Sequence, residues 1–518
     1  MGSAMTLTRF QSAALAGDPP TAPRVHLVTF GCQMNKYDSL LAEGRFRERG
    51  YAVAPTIEEA DVVLFNTCSV REHAEERTYS WLGELKREKT RRPELIIGVM
   101  GCLAQRAEDE VFKRAGHVDL VVGTRRFQHL PQLVEEVRQR RAALAQGGTG
   151  LAPWNSKGAR VLDVEMDDAV AVDRSREVYT GGLEGFLAVM RGCDLNCTYC
   201  IVPKTRGRVQ SRPISDLVAE ARWMVSQGAR VVTLLGQTVN SYGEDLPVPS
   251  AGEPRLRGRQ GRPSLADLLY ELQGIEGLLR IRLITLHPAY VTRALAEAIR
   301  DNPKVERFLP LPAQAGSDPV LRAMKRGYTT ELYRQRVALL REVVPDIELG
   351  SDWIVGFPGE SDPDFERSLE FMAEIGFAQN YIFKYDPRPE TAAHALPDDV
   401  PLESKKQRNQ ALLAKAHRVQ LWRHQQHLGR HLEVFVEGLS ERHPGWLQGR
   451  SQHGLPVAFA APPGGDPAGL IGTLQGIAAE EATPFGLSGS IRPAGPQAPG
   501  AESPGSLAQQ AASLGPSA

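Results

Sequence analysis

Between residues 24 and 142, the apolar and polar positions alternate between short apolar runs and longer helical stretches. Three apolar runs predict buried strands, and each ends in a turn that carries a cysteine; the runs are Val25–Phe30, Asp61–Thr67 and Leu95–Met100. Helical segments are predicted between them at residues 37–49 and 72–91. Strands that alternate with helices are typical of a parallel sheet wound on both faces. The pattern therefore predicts an α/β fold that begins with a doubly wound domain over residues 24–142.

The alternation of strands and helices resumes at about residue 185 and continues to about residue 390. Six strands are predicted there, at residues 186–190, 231–235, 280–285, 307–309, 347–355 and 377–385. Several end in residues suited to binding, such as cysteine, glutamine and histidine. Six such units are typical of a partial (β/α)6 barrel, whose chemistry lies at the carboxyl ends of the strands. We assign this core to residues 179–415.

The remaining segments are a linker, a small C-terminal domain and a tail. Residues 143–178 are loose and acidic and predict a linker, whereas residues 403–428 predict a polar, basic helix. Short apolar runs with glycine turns then predict a small β-barrel, assigned to residues 416–491, with strands at residues 432–437, 457–460 and 469–474. Residues 492–518 have the composition of a disordered tail.

Composition changes this picture little. Of 518 residues, 42% are apolar and 24% are charged, and the formal net charge is −1, so nucleic-acid binding would have to come from local patches. One such patch is the arginine-rich loop at residues 246–263, which is either an RNA contact or a solvated insertion. No apolar run reaches the ~18 residues of a membrane span, and no secretory signal is evident. We therefore expect no membrane partner and a cytoplasmic location.

All six cysteines lie before residue 201, and three of them are closely spaced. Cys193, Cys197 and Cys200 follow a Cys-x3-Cys-x2-Cys pattern, with Tyr199 directly before the last cysteine. Three thiolates can hold three irons of a 4Fe–4S cluster and leave the fourth iron open to a second ligand. A zinc knuckle is the alternative, but zinc usually takes four ligands in two close pairs, and no fourth cysteine or close histidine follows.

The other three cysteines are Cys32, Cys68 and Cys102, and each follows the end of a predicted strand. In parallel α/β sheets, this edge is where ligands bind. We therefore predict that the three thiols meet and hold a second, auxiliary 4Fe–4S cluster. The alternative is three separate buried cysteines that act as small apolar residues.

Several motifs closely resemble the methylthiotransferase family of radical S-adenosylmethionine (SAM) enzymes, over about residues 24–491. They are Gly31-Cys-Gln-Met-Asn-Lys-Tyr-Asp38, Asn66-Thr-Cys-Ser-Val-Arg71, Gly101-Cys-Leu-Ala-Gln105, Arg191-Gly-Cys193 through Arg208, Leu235-Gly-Gln-Thr-Val-Asn-Ser-Tyr-Gly243 and Asp352-Trp-Ile-Val-Gly-Phe-Pro-Gly-Glu360. The chain departs from the family pattern at Thr238, Pro310, Ala313, Ala315, Asp386 and Glu390. The C-terminal β segment is similar to the TRAM domain, which binds RNA in this family.

The resemblance implies sulfur insertion and methylation at an aromatic C–H bond, a step that a cofactor must carry. It implies that the cluster on Cys193, Cys197 and Cys200 binds SAM and cleaves it to a 5′-deoxyadenosyl radical. It also implies that the auxiliary cluster presents sulfur and that a second SAM supplies the methyl group. A reductant protein of the flavodoxin or ferredoxin type would supply electrons.

The residues after the first cysteine resemble the branch that modifies N6-dimethylallyladenosine at position 37 of tRNA. The same chemistry on threonylcarbamoyladenosine tRNA or on a ribosomal-protein aspartate is the alternative within the family. A protein of another class, which binds RNA and uses metals only structurally, is the more distant alternative. An anticodon stem-loop presents a splayed base that an enzyme can reach, and we expect a monomer to bind it.

Resemblance also assigns contacts to SAM and to RNA. Tyr199 would lie near the adenine of SAM, and Gly236, Gln237, Ser351 and Asp352 near its polar parts. Asp352 is equally well explained as a structural carboxylate. The basic residues beside the motif, Lys204, Arg206 and Arg208, would contact tRNA phosphates or guard SAM, unless they form a solvated face. The basic helix at residues 403–428 would grip further phosphates.

Overall fold

The computed structural model describes residues 22–69, 72–146, 157–166, 182–462 and 465–492. Most of the predicted linker and all but Arg492 of the predicted tail lie outside the described residues. The chain forms two compact units. The first contains the residues up to Gly182 together with Arg191–Asp194 and Cys200–Gln210, and the second contains Leu183–Met190, Leu195–Tyr199 and the residues from Ser211 onward.

The first unit is built on a parallel sheet of six strands in the order β2-β1-β3-β4-β5-β6. The strands are β1 (Arg24–Phe30), β2 (Ala52–Val53), β3 (Val62–Thr67), β4 (Ile96–Gly101), β5 (Leu120–Val122) and β6 (Val161–Asp163). The helices between them are α1 (Gln33–Glu48), α2 (Glu72–Arg91), α3 (Cys102–Ala107), α4 (Glu110–Arg114) and α5 (Leu130–Gln146).

Both faces of this sheet are buried. Val63 and Phe65 of β3 belong to one apolar cluster, whereas Val62 and Leu64 belong to another. Because successive side chains of a strand point to opposite faces, the two clusters lie on opposite sides of the sheet. The predicted doubly wound domain is confirmed. The predicted linker is wrong for residues 157–166, because β6 within it pairs with β5 as an edge strand.

The second unit begins with β7 (Glu184–Ala188). The chain passes to the first unit within β8 (Met190–Arg191) and returns within β9 (Gln210–Ser211), and α6 (Val202–Arg206) lies in the first unit between them. The later strands of the core are β10 (Val231–Leu235), β11 (Arg280–Leu283), β12 (Phe308–Pro310), β13 (Glu348–Val355) and β14 (Gln379–Lys384). Its helices are α7 (Ile214–Ser226), α8 (Leu265–Gln273), α9 (Arg293–Asp301), α10 (Asp318–Ala323), α11 (Thr330–Val343), α12 (Asp362–Ile375) and α13 (Leu402–Gln425).

The core strands run parallel in two sheets, β7-β10-β11 and β12-β13-β14. A bridge between Ile281 and Val305 joins β11 to the segment before β12, so the six strands form the predicted partial barrel. Capping residues in the sequence mark where the helices outside the strands begin and end. Helix α12, for example, begins at a capping box of Ser361 and Asp364 and ends at Gly376 in the left-handed conformation.

The C-terminal segment forms the predicted small β-barrel. It is closed by five strands in the order β15-β16-β17-β19-β18, namely β15 (His431–Leu439), β16 (Trp446–Ser451), β17 (Pro456–Ala460), β18 (Leu474–Thr483) and β19 (Gly486–Ile491). The predicted strand at residues 469–474 is wrong, because a helical turn at Ala468–Leu470 precedes β18. Arg282 of β11 ties this barrel to the core, since it pairs with Glu437 of β15 at 2.6 Å and with Glu306 at 2.8 Å.

Candidate active site

The three N-terminal cysteines lie together at the carboxyl edge of the six-stranded sheet. Cys68 directly follows β3, Cys102 directly follows β4, and Cys32 is the residue before α1. Cys68 and Cys102 are buried, whereas Cys32 is open to solvent. The Cys68 thiol hydrogen-bonds the Cys32 sulfur, and Cys102 is close enough to Cys32 for their charges to interact. The structure thus places the three cysteines at one edge of the sheet, with Cys32 and Cys68 in contact and Cys102 near Cys32.

Two glycines make this convergence possible. Gly31 has a φ of 140°, and a Cβ atom there would lie 2.8 Å from the Cβ atom of Cys68. Gly101 has a φ of 90°, and its Cβ atom would lie 2.3 Å from the Oδ1 atom of Asn66. Any other residue would clash and would also be strained at these angles. The Gly-Cys pairs at both turns are therefore explained by close packing at the sheet edge.

A buried amide network fixes the same edge. Asn66 of β3 donates to the carbonyl of Asn35 at 2.8 Å and to the hydroxyl of Ser39 at 3.0 Å. The Asn35 amide donates in turn to Asn66 Oδ1 at 3.0 Å. Because buried polar groups are costly unless they are paired, this network fixes the end of β3 relative to the first turn of α1. Cys32 and Cys68 flank it.

The surroundings of Cys32 favour its thiolate form. The pKa of Cys32 is lowered to about 6, and the largest cause is the hydrogen bond from Cys68, although desolvation by the surrounding protein opposes the change. The charge of Arg206 and the backbone N–H groups of Asn35 and Met34 also contribute to this lowering. Cys102 differs, since burial raises the pKa of its thiol. Cys32 and Cys102 both lie at helix N-termini, where backbone N–H groups favour negative charge.

Arg206 does not have the exposed position that RNA contact requires. Its side chain is 5% exposed, and its Nη2 atom binds Asp38 Oδ2 at 2.9 Å. Asp38 is fully buried in α1 and also binds Arg191 at 3.2 Å. The prediction that Arg206 contacts tRNA phosphates is therefore wrong for this structure. The sequence showed a run of basic residues but not the buried carboxylate that pairs with one of them.

The cysteines of the Cys-x3-Cys-x2-Cys motif lie in the loop between β8 and α6. Cys193 and Cys200 belong to the first unit and Cys197 to the second. Cys193 is buried, and its N–H donates to the carbonyl of Gly207 at 3.1 Å. In the second unit, Thr198 donates its N–H to Met324 and its hydroxyl to Ala323, both at 3.0 Å. These bonds fix the backbone on either side of the loop.

Arg326, which the sequence did not single out, contacts a motif cysteine. It is buried, and its Nη1 atom donates to the sulfur of Cys197 at 3.2 Å. The Arg326 carbonyl accepts from His287 Nε2 at 3.0 Å. Burial lowers the pKa of Arg326, but its interactions with Tyr199, Tyr328 and Cys197 raise it well above the ordinary value. A fixed positive charge therefore lies against one of the three predicted cluster ligands.

The predicted SAM residues at the end of β10 occupy a constrained turn. A Cβ atom on Gly236 would lie 2.7 Å from the Met190 side chain, so only glycine fits. Asn240 exchanges two hydrogen bonds of 2.9 Å with the backbone of His287, and these bonds connect the turn to the segment after β11. Gln237 follows the glycine, and its Oε1 atom is buried with no hydrogen-bond partner among the described residues. A buried acceptor without a donor suits a ligand that donates hydrogen bonds.

Ser351 and Asp352 point to opposite faces of β13. Trp353 packs edge-on against Phe371 of α12, so odd-numbered residues of this strand face the helices. Ser351 shares that face, and its hydroxyl accepts from the N–H of Ala313 at 2.9 Å. Asp352 lies on the opposite face and is partly exposed. Ser351 therefore positions the loop after β12, and Asp352 is the better placed of the two to meet a ligand.

Exposed basic residues remain as candidates for RNA contact. Lys204 and Arg208 are exposed. Three basic residues of α13 are instead used internally: Lys405 binds Asp398, Arg408 binds Glu360, and Arg423 binds Glu348. The prediction that the whole basic face of this helix grips phosphates is wrong for these residues, which leaves Lys406 and Arg418 exposed on it.

The loop at residues 246–263 is partly engaged in contacts of its own. Arg257 binds Asp267 at 2.9 Å and lies over the ring of Tyr270. Arg262 donates to the Leu246 carbonyl at 2.8 Å. Arg255 and Arg259 are exposed. Two of its four arginines thus stabilise the loop, and the prediction of RNA contact applies to the other two.

Comparison with known proteins now decides the family. Residues 24–123 match a model described as an uncharacterized protein family, UPF0004, and residues 187–372 match the radical SAM superfamily. A tRNA-2-methylthio-N(6)-dimethylallyladenosine synthase from Rhodopirellula baltica is 42% identical over 81% of this chain and 84% of its own length. The chain belongs to this synthase family. Synthases of the same name from Methylococcus capsulatus and Xanthomonas oryzae are 39% and 38% identical over 90% and 94% of this chain, and over 95% and 97% of their own lengths.

Membership in the synthase family makes the chain a radical SAM tRNA methylthiotransferase and confirms the resemblance carried by the motifs. Among solved structures, the radical SAM methyltransferase TsrM from Kitasatospora setae, with cobalamin and a 4Fe–4S cluster bound, is 15% identical, with a TM-score of 0.48. The match covers 72% of this chain and 77% of that one. No helix in the described part of the chain has the length and hydropathy needed to cross a membrane.

Replacement of Arg326 by glutamine is expected to slow SAM cleavage at least about tenfold. The substitution removes a charge-assisted hydrogen bond to Cys197, and such bonds contribute about 1.5–3 kcal/mol. The measurement is 5′-deoxyadenosine formed per cluster under anaerobic reduction. Arg322→Gln, at an exposed position of α10, is the matched control and should keep the parent rate. A normal rate in Arg326→Gln would show that the contact has no role in cleavage.

Proposed function

We propose that this enzyme methylthiolates C2 of N6-dimethylallyladenosine at position 37 of tRNA. The observation that carries the proposal is the convergence of Cys32, Cys68 and Cys102 at one sheet edge, in a chain that also has the Cys-x3-Cys-x2-Cys motif. Two sets of three thiols fit two 4Fe–4S clusters, since each set leaves one iron open for another ligand. The family name supplies the substrate.

In each unit, charged residues near the cysteines suit the binding of a 4Fe–4S cluster. In the first unit, the N-terminus of α1 and the charge of Arg206 favour the thiolate form of Cys32 at the sheet edge. In the second unit, Arg326 donates to Cys197. When bound, the clusters and SAM would supply the electron, the sulfur and the methyl group that the reaction needs. We assign the auxiliary cluster to Cys32, Cys68 and Cys102 and the SAM-binding cluster to Cys193, Cys197 and Cys200.

The polar parts of SAM would meet Gln237 and Asp352, and its adenine would meet Tyr199. Gln237 presents the unpartnered Oε1 atom, which would accept a hydrogen bond from the SAM ammonium group. Asp352 lies on the face of β13 opposite the helices, where its carboxylate would accept a second such bond. Ser351 acts on SAM only through the loop that it holds, and Gly236 allows the turn to pack closely.

The RNA is bound by the exposed basic residues rather than by the buried ones. Lys204 and Arg208 follow the cluster motif in sequence, and Lys406 and Arg418 are exposed on α13. Contacts to phosphates weaken as salt concentration rises. The small C-terminal barrel adds the TRAM-like surface for the stem. We further propose that the enzyme works as a cytoplasmic monomer and takes electrons from a protein of the flavodoxin or ferredoxin type.

Reaction with defined RNA tests the proposal. The enzyme is reconstituted without oxygen and incubated with SAM, a reductant and an anticodon stem-loop that carries N6-dimethylallyladenosine. After digestion, mass spectrometry should find a methylthio group on that nucleoside. A stem-loop with unmodified adenosine is the matched control and should remain unchanged.

The alternative substrates predict a different result. If SAM is cleaved but dimethylallyladenosine stays unmodified, the substrate assignment fails, and a stem-loop with threonylcarbamoyladenosine and a ribosomal protein become the next substrates to test. If stoichiometric zinc is bound in place of iron, the radical chemistry itself fails. Each part of the proposal can thus be contradicted separately.

A further inference from the structure

One buried carboxylate in the first unit is shared by two buried guanidinium groups. Asp38 Oδ2 binds Arg206 at 2.9 Å, and Asp38 Oδ1 binds Arg191 at 3.2 Å. The exposed fractions of the two arginine side chains are 5% and 10%. A buried charge is stable only when it is paired. Because one carboxylate faces two guanidiniums, the group carries a net positive charge. Part of that charge lies on Arg206 and can act on a neighbouring group.

That neighbour is the group of thiols at the sheet edge. Arg206 is the last residue of α6, and the preceding residue, Thr205, hydrogen-bonds the thiol of Cys102. The charge of Arg206 also interacts with both Cys32 and Cys102. The same end of α6 therefore contacts one predicted cluster ligand and presents a positive charge to two of them.

The backbone around Arg206 is fixed independently of its side chain. Arg125 is 1% exposed and donates from Nη2 to the carbonyl of Arg206 at 2.9 Å and to that of Arg208 at 3.1 Å. Thr124 donates its hydroxyl to the carbonyl of Thr205. Asp38 then fixes the side chain. A charge with so little freedom does not need to reorganise when the charge of its neighbour changes, which makes its effect large.

We propose that Arg206, held by Asp38, is a positioning residue that sets the reduction potential of the auxiliary cluster. The inference rests on the proposed assignment of that cluster to Cys32, Cys68 and Cys102. Reduction adds one electron and therefore one negative charge to the cluster and its thiolates. A fixed guanidinium stabilises the reduced form more than the oxidised form, so it raises the potential.

The test uses the full chain with Cys193, Cys197 and Cys200 all replaced by alanine, which leaves one cluster site. Anaerobic reconstitution should give about four irons per chain, and a redox titration followed by electron paramagnetic resonance gives the potential. In this background, Arg206→Gln should reduce the equilibrium constant for reduction about tenfold, which is about 59 mV for a one-electron couple. Arg206→Lys keeps the charge and should recover most of the loss.

Asp38→Asn should shift the reduction potential in the opposite direction. It removes a negative charge next to the cluster, so the potential should rise where Arg206→Gln lowers it. Arg91→Gln is the control for loss of one positive charge from the same unit, because the Arg91 side chain is 79% exposed; its potential should equal that of the background. A merely structural role would shift Arg206→Gln and Asp38→Asn in the same direction.

The outcomes separate this inference from the proposed function. If the background protein takes up no iron, the assignment of the auxiliary cluster fails, and the inference fails with it. If it takes up about four irons and Arg206→Gln leaves the potential unchanged, only the role of Arg206 is overturned. If Arg206→Gln does not fold, the double variant Asp38→Asn/Arg206→Gln, which removes both charges of the pair, replaces it: a potential below that of Asp38→Asn supports the inference, and an equal potential overturns it.

Discussion

Replacement of Cys197 by alanine is expected to abolish SAM cleavage while the auxiliary cluster stays in place. Three thiolates hold three irons of a 4Fe–4S cluster, and the loss of one removes a ligand that the other two do not replace. Cys197 is also the thiol that accepts a hydrogen bond from the buried Arg326, so its loss leaves that donor without its acceptor. The expected result is 5′-deoxyadenosine at background level.

Iron content distinguishes this result from misfolding. Cys197→Ala should fall from about eight irons per chain to about four, because only one of two clusters is lost. Circular dichroism should match the parent protein, since Thr198 still holds the loop through its bonds to Ala323 and Met324. Cleavage at a rate near that of the parent would contradict the assignment of Cys197 as a ligand. The control Arg322→Gln should keep both clusters and the parent rate.

In the first unit, the sequence predicted the longer strands and helices well. The predicted strand at residues 61–67 is β3 (Val62–Thr67), and the predicted helix at residues 72–91 is α2 (Glu72–Arg91). Apolar runs and helical periodicity of this length carry a clear signal. Strands β2, β5 and β6 were not predicted, because two or three residues are too few to show an alternation. Each of them depends on pairing with a neighbour that the sequence alone does not reveal.

Helix α1 shows why an element boundary was missed. The predicted helix began at residue 37, whereas the structure begins it at Gln33. Its first turn contains Asn35, which is fully buried although it is polar, because it bonds Asn66 of β3. Periodicity of apolar residues assigns such a position to the surface. The error therefore comes from a tertiary hydrogen bond that overrides the apolar pattern.

Among the site residues too, those with a local sequence pattern were predicted, and those defined by tertiary contacts were missed. The cysteines were identified because thiols at such spacings and strand ends have few other uses. Arg326 lies 129 residues from Cys197, and Asp38 lies 168 residues from Arg206, so no local pattern joins either pair. Arg206 was placed on an RNA surface because basic residues surround it in sequence. Only the fold shows that Lys204 and Arg208 are exposed and that Arg206 is not.

Replacement of Cys68 by alanine is expected to leave SAM cleavage intact and to stop methylthiolation of the RNA. Cys68 belongs to the sheet edge of the first unit, whereas Arg326 and Cys197 belong to the second, so the substitution leaves their contact unchanged. Alanine keeps the Cβ atom against which Gly31 packs. The loss is thus confined to one sulfur, which is both a predicted iron ligand and the hydrogen-bond partner of Cys32.

Two products measured in one reaction show whether Cys68→Ala separates the two steps. They are 5′-deoxyadenosine, which reports SAM cleavage, and the methylthiolated nucleoside, which reports sulfur insertion. The matched control is Ser69→Ala, a substitution at the adjacent buried position that disturbs the same edge but keeps all three thiols. It should form both products. If Cys68→Ala also formed the methylthiolated nucleoside at the parent rate, the sheet-edge cysteines would not supply the sulfur. The three cysteines would then act only as small residues that pack at the sheet edge.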